Sequence, residues 1–332
     1  MKPMRVCAGI ALIAFAALAQ GPRGDENAPG NITAPPPRLP VNVAVGPDLG
    51  YVPVPDALPL PPGMTYASVA AIDINSKGHI FVFERAPVPL LEFDRDGKFI
   101  RAFGEGLAAR SHGLRIDSHD NIWITDVAEN TVTKLNPQGE PVMTLGTRGP
   151  AGEWNEAAGS RRFNQPVDLA FAPNGDVFVA QGHGGPDPRI FRFDKNGKLI
   201  TQWSGKVDGP ASFSLPHTLT LDPKGNLYVA DREAKKILVF DGNGKYLRTI
   251  QKDTRICAFY VTKDKQLYMT SGTDGQIEKL DWNGKILGIT GGGQGKGPDQ
   301  YGEAHYMTMD AKGDIYVADT GLKRVQKLVK QH

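Results

Sequence analysis

The stretch Ser214-Leu215-Pro216-His217-Thr218-Leu219-Thr220-Leu221-Asp222, followed by Gly225-Asn226-Leu227-Tyr228-Val229-Ala230-Asp231, reads as two short strands joined by a turn. Leu219 and Leu221 alternate with threonines, and Pro223-Lys224-Gly225-Asn226 carries turn chemistry. The same pattern occurs twice more. One copy is His112-Gly113-Leu114-Arg115-Ile116-Asp117, then Asn121-Ile122-Trp123-Ile124-Thr125-Asp126. The other is His305-Tyr306-Met307-Thr308-Met309-Asp310, then Gly313-Asp314-Ile315-Tyr316-Val317-Ala318-Asp319. In each copy a histidine stands five residues before an aspartate.

Working outward, the chain repeats from Met64 onward. The ends of successive first strands fall at Asp73, Asp117, Ala172, Asp222, Thr262 or Asp264, and Asp310. They are spaced by about 42–55 residues, the repeat length of four-stranded propeller blades. A second turn follows five of the units, as in Asp194-Lys195-Asn196-Gly197-Lys198 and Asp241-Gly242-Asn243-Gly244-Lys245. No convincing amphipathic helix interrupts the series. The pattern therefore predicts an all-β, six-bladed β-propeller over residues 64–329. The sixth unit stops after Val325-Gln326-Lys327-Leu328-Val329, one strand short. An unpaired edge there is a liability, and the segment Leu49–Val54 is the available donor of the missing strand.

Residues 1–19 read as a secretory signal: Lys2 and Arg5, an apolar run from Ala8 to Leu18, and Ala17-Leu18-Ala19 as a cleavage site. The run is short for a membrane span, so the expectation is an exported protein, periplasmic or secreted, with no span after signal removal. Residues 20–63 read as a proline-rich linker that includes the closing strand near 49–54. After cleavage only Cys257 remains, so no intrachain disulfide forms. Thirty-eight basic and 36 acidic side chains give a net charge of +2. That balance, with no clustered basic run in the body of the chain, argues against a nucleic-acid binder.

The pattern Pro-x-x-Leu-x-Leu-Asp-x-x-Gly-Asn-Leu-Tyr-Val-Ala-Asp resembles the NHL repeat, which implies the propeller but little about activity. Chemistry must come from the histidine register. Blades two, four and six carry His112, His217 and His305; blades one, three and five carry Ser68, Val167 and a residue near Phe259. First strands line the central channel of a propeller. Equivalent positions on alternate blades lie a third of a turn apart, so three imidazoles would converge on the axis. Three histidines with an open fourth position are the arrangement of a catalytic zinc. Taken singly, each histidine reads equally as a satisfied channel residue. Asp126, Asp231 and Asp319 end the second strands of the same blades; they read as acceptors for the imidazoles or as caps on the following turn.

A closer resemblance follows. His112-Gly113-Leu114 with Trp123-Ile124-Thr125-Asp126-Val127, Phe163-Asn164-Gln165-Pro166-Val167-Asp168, Leu215-Pro216-His217 and Ala230-Asp231-Arg232-Glu233 are similar to peptidyl-α-hydroxyglycine α-amidating lyases. The resemblance implies a zinc lyase that cleaves the N–C bond of a carbinolamide, releasing an amide and glyoxylate. It implies zinc on His112, His217 and His305, and Arg85 and Arg232 near the carboxylate of a small-molecule or peptide substrate. A guanidinium suits that task because it grips a carboxylate through two hydrogen bonds.

Two positions depart from the family pattern. His183 stands where the family has its catalytic tyrosine, and a histidine can serve as base near neutral pH. Tyr306 stands where the family has an aspartate ligand for a structural calcium, so calcium is poorly provided for.

Two functions remain open. The chain is an exported zinc lyase, or it is a non-catalytic propeller that presents one face to a protein or ligand. The glycine-rich loops 148–162 and 291–301 would supply that face. A calcium-dependent lactonase fits a three-histidine set poorly, since such propellers use carboxylate and amide ligands.

Overall fold

The computed structural model describes residues 44–331. Within them the chain forms six four-stranded antiparallel sheets, five built from consecutive strands. One short additional hairpin, Trp154–Asn155 with Ser160–Arg161, decorates the loop between blades two and three. The fold is all-β, a six-bladed propeller. The signal at 1–19 and the linker residues 20–43 lie outside the described residues. Among the described residues no helix is long and apolar enough to cross a membrane.

The six innermost strands are Val69–Ile74, Ser111–Ile116, Pro166–Phe171, Pro216–Leu221, Ala258–Val261 and Ala304–Met309. The strand that follows each is buried along its whole length, because both of its faces meet neighbouring blades. Outermost strands such as Tyr246–Gln251 alternate between half-buried and exposed, as a strand with one solvated face must. Apolar side chains fill the seams between blades. Phe83, Phe93, Phe178 and Phe193 are essentially inaccessible, each contributing about 1.5–3 kcal/mol of burial.

Tight turns fix the register of every blade. In blade four the Asp222 carboxylate accepts from Lys224 N and Asn226 N at 2.8 Å, and Gly225 sits at φ +83° to close the turn. The backbone bonds that define this turn recur beginning at Asn75, Asp117, Ala172, Thr262 and Asp310. Blade one therefore turns at Asn75 rather than Asp73, and blade five at Thr262 rather than Asp264. This moves the histidine-equivalent positions of those blades to Ala70 and Cys257; blade three keeps Val167.

The last blade closes as its missing strand requires. Tyr51–Val54 pairs antiparallel with Lys330–Lys327, and the Tyr51 hydroxyl donates to Gly313 O at 3.0 Å. The segment continues onto the body of the propeller: Leu58 is buried, and it packs in the cluster shared by the first, second and last blades. The described part of the linker is thus docked chain rather than a free tether.

Candidate functional site

Each of the three histidines sits where its strand breaks register with the next. Pairing jumps from Ser111 to Leu114, from Pro216 to Thr218 and from Ala304 to Met307. Such a bulge leaves an extra residue unpaired and re-aims its side chain. His112, His217 and His305 are all buried to within 2%. Gly113 makes room in blade two: a Cβ there would stand 2.5 Å from Val167 O, the carbonyl that His112 needs.

All three rings are held the same way. Nδ1 of His112 meets Val167 O at 2.9 Å, that of His217 meets Cys257 O at 2.8 Å, and that of His305 meets Ala70 O at 2.5 Å. These acceptors are the equivalent residues of the three intervening blades. A carbonyl only accepts, so each Nδ1 carries the proton and each Nε2 keeps its lone pair. The aspartates that end the second strands take no part in this. Asp126 accepts from Ala109, Arg110, Ala128 and Glu129 N–H groups, and Asp231 from Ser214 and Leu215. They are turn caps.

The ring centroids lie 4.8 Å apart for His112 and His217, 5.0 Å for His112 and His305, and 5.1 Å for His217 and His305. With zinc–nitrogen bonds of about 2.0–2.1 Å, three imidazoles at the tetrahedral angle place their centroids roughly 5 Å apart. His112 Nε2 is buried with no hydrogen-bond partner. Leaving a polar atom so is costly unless something else binds it. The donor chemistry suits a zinc-like dication: ligand atoms of His112, His183 and His217 lie within 4.8 Å of one another, and so do those of His217, Cys257 and His305, the two groups sharing His217.

Charged groups ring this layer on one side. Arg85 N bonds Ser68 O, and Arg232 N bonds Leu215 O, so the two arginines hold equivalent places on blades one and four, opposite in a ring of six. Arg232 Nη1 donates to His217 Nε2 at 3.1 Å and Nε to Glu233 Oε1 at 3.0 Å; Glu303 Oε1 is 3.8 Å away. The guanidinium thus occupies a lone pair that a metal would need, with two carboxylates beside it to receive it. His183 joins the group as a fourth imidazole, its ring 4.6 Å from His112 and 5.5 Å from His217.

The field of this site keeps its imidazoles neutral. Burial is the first cause, and it holds His112 and His217 well below their ordinary value. His183 is brought to about 3 by burial and then by Arg232, His305, Arg110 and Arg85. His305 stays at about 4, burial lowering it and Glu303 partly restoring it. Glu303 is raised by burial, but His305, the Thr320 hydroxyl, Arg232 and Arg85 outweigh that and leave it below the usual carboxylate value. The arrangement can hold a dication on neutral imidazoles and an anion between arginines.

Beneath the histidines the channel is filled by protein. The Tyr306 hydroxyl donates to Val167 O at 3.3 Å, and the Arg115 guanidinium lies 4.8 Å from the centre of the Tyr306 ring. Arg115 grips Asp168 through two bonds of 2.9 and 2.7 Å. Asp168 is already committed to a guanidinium, Asp73 accepts from Ile116 N and the Thr308 hydroxyl, and the residue after His305 is a phenol rather than a carboxylate. These residues do not fit calcium.

The structure brings all six expected residues, His112, His217, His305, His183, Arg85 and Arg232, to one end of the channel. Sequence reading missed Glu303, Arg110 and Cys257. The five-residue offset points to Cys257 only once the turn is placed at Thr262, the weaker turn former of the two candidates. Glu303 and Arg110 are each two residues before a channel histidine, a position whose side chains face the rim.

Comparison with known proteins agrees with this architecture. A family described as a six-bladed beta-propeller, DUF5128, matches residues 186–287. NHL repeat-containing protein 3 of Mus musculus is 28% identical over 287 residues, 81% of this chain and 80% of that protein. The probable peptidyl-alpha-hydroxyglycine alpha-amidating lyase pgal-1 of Caenorhabditis elegans is 29% identical over 254 residues, 66% of this chain and 70% of that protein. Peptidyl-glycine alpha-amidating monooxygenase of Mus musculus is 36% identical over 196 residues, 54% of this chain but only 19% of its own length. The chain is a six-bladed propeller similar to NHL repeat-containing protein 3 and to the amidating lyases.

Proposed function

We propose that this chain is an exported, zinc-dependent lyase that cleaves a carbinolamide N–C bond to give an amide and glyoxylate. The observation that carries the reading is the set of three equivalent imidazoles, each held by the same Nδ1-to-carbonyl bond so that Nε2 keeps its lone pair, with the lone pair of His217 held by Arg232 until a metal displaces it. The likeness to amidating lyases supports the reaction class, and residues 1–19 support export.

His112, His217 and His305 would hold the ion, which when bound supplies Lewis-acid polarisation of a substrate hydroxyl. Arg85 and Arg232, facing one another from opposite blades, grip the substrate carboxylate and orient the carbinol carbon over the histidines. His183 takes the hydroxyl proton. In the free protein it is a weak base, because burial first, and then Arg232, His305, Arg110 and Arg85, depress it. A bound carboxylate cancels part of that field, and the basicity of His183 rises when substrate is in place. Loss of the proton lets the carbonyl of glyoxylate form as the C–N electron pair leaves on the nitrogen, and the proton held by His183 passes to that nitrogen to give the neutral amide.

The experiment is glyoxylate release from a peptide ending in α-hydroxyglycine, with metal content measured in parallel. We expect about one zinc per chain, activity lost on chelation and regained with zinc. His217→Ala and His305→Ala should keep the propeller circular dichroism and lose both metal and turnover. Stoichiometric zinc without glyoxylate would overturn the reaction; a metal-free active protein would overturn the site.

The second reading, an extracytoplasmic module that binds a protein or ligand on one propeller face, is favoured by one observation. The match to NHL repeat-containing protein 3 covers four-fifths of both chains, more than the lyase match does. A channel that takes up no metal would put this reading first.

A further inference from the structure

Blade five contributes a side chain to the histidine layer that its sequence register concealed. Cys257 occupies the position held by histidine in blades two, four and six. Its Sγ and one ring nitrogen each of His217 and His305 all lie within 4.8 Å of one another. The residue is 1% exposed. Its carbonyl receives the Nδ1 proton of His217, so the bond that fixes that imidazole also fixes the backbone of the cysteine. On its other side stands Gly272, at φ +59°, where a Cβ would come within 2.7 Å of Sγ. The glycine is what allows the thiol to stay in the channel beside the two imidazoles.

A second observation points to a ligand in the same space. His112 Nε2, fully buried and without a partner, faces the axis from the opposite side. Its ring lies 4.8 and 5.0 Å from the two imidazoles that flank the thiol. One ion on the axis would satisfy the orphaned nitrogen and come within reach of the sulfur.

We propose that Cys257 is a further ligand of the channel metal, giving three imidazoles and one thiolate in place of three imidazoles alone. The inference rests on the metal reading above and modifies it: with the sulfur as fourth ligand, a substrate hydroxyl would have to enter as a fifth. The thiol proton is lost as the sulfur–metal bond forms, and Glu303 Oε1, 3.7 Å from Sγ, lies on its way to solvent. A thiolate makes the set softer and selects zinc, cobalt or cuprous ions over calcium, magnesium or manganese. It also offsets one of the two positive charges of a dication that neutral imidazoles leave in place.

Cobalt substitution tests this with a readout independent of turnover. The full chain is kept reduced and anaerobic and titrated with Co²⁺ to one equivalent. Thiolate ligation should give an intense near-ultraviolet sulfur-to-cobalt charge-transfer band, rising in step with the weaker visible ligand-field bands. Cys257→Ser should keep the visible bands and lose the near-ultraviolet one. Visible bands without the charge-transfer band in the wild type would overturn the proposal and leave the three-histidine site standing, and that spectrum decides the point even if the variant fails to fold. A band that survives Cys257→Ser would also overturn it. No cobalt uptake at all would overturn the metal site together with this inference.

Discussion

Replacing Asp168 by alanine should cost about 3–5 kcal/mol of folding stability, because it strands a guanidinium in the floor of the channel. Asp168 is inaccessible, and the Arg115 side chain facing it is 13% exposed. The carboxylate takes two bonds from Arg115, one of 2.7 Å from Thr218 Oγ1, one of 2.8 Å from Leu169 N and a longer one of 3.4 Å from Leu219 N. Alanine removes all five at once. Asp73 remains close enough to attract Arg115, which places the expected loss near the lower end, about 3 kcal/mol. With a urea slope of about 3 kcal/mol per molar, the midpoint should fall by roughly 1 M. Unfolding followed by tryptophan fluorescence and circular dichroism measures it. A paired change, Arg115→Met with Asp168→Leu, removes both charges and should recover most of the loss, since apolar substitutes for a buried pair are often neutral or better. A single-variant midpoint within about 0.3 M of wild type, or a double variant as unstable as the single, would refute the reasoning.

Three further outcomes follow from the same geometry. His183 is held at about 3 in the folded chain, against an ordinary value of about 6.5 when unfolded. The unfolded chain therefore binds protons that the folded chain refuses, and this costs stability as pH falls from about 6.5 toward 3. Glu84, pushed up to about 7 mainly by burial, acts in the opposite direction, so the difference between variants is the informative quantity. The midpoint of metal-free His183→Asn, relative to wild type, should rise as pH is lowered from 7.5 to 4.5; a constant difference would show that His183 is not held neutral. Arg85→Ala should lower kcat/KM for a carboxylate-bearing substrate roughly 10- to 100-fold, the worth of a charged hydrogen bond, with little change in the urea midpoint; an unchanged kcat/KM removes Arg85 from the site. A chain beginning at Pro55 lacks the strand that pairs with Lys327–Lys330, and the bared edge should lower Tm and promote self-association in size-exclusion chromatography; a monomer of unchanged Tm would show that the closure is dispensable.

The propeller was legible because its signal is local and repeated. Asp222, Asp117 and Asp310 each organise a turn within five residues, and six such turns leave little freedom in the count of blades. The closing strand was legible by subtraction, since the last unit ends one strand short. Register failed where a turn residue was replaced. Blade one turns at Asn75, with Asp73 two residues away as a decoy, and there the Asp73 carboxylate serves Ile116 N and Thr308 instead. Blade five turns at Thr262, and the slip of two residues hid Cys257. Contacts across the channel were not legible at all. Arg115 and Asp168 are 53 residues apart on different blades, and nothing in either strand names its partner.

The unreadable floor and the readable histidine ring depend on one another. Val167 O receives the His112 ring, the Thr125 hydroxyl and the Tyr306 hydroxyl together. Asp168, the next residue, is pinned by Arg115 and Thr218, and Thr218 in turn follows His217 and accepts from Phe259 N. Thr270 Oγ1 donates to His305 O and accepts from Ala258 N, the residue after Cys257. The backbone of each ring member is therefore tied to the side chains of the layer below. A side chain that must stay within a fraction of an ångström of an ion needs its own backbone held from behind. The Arg115–Asp168 pair supplies that support from beneath the Tyr306 ring.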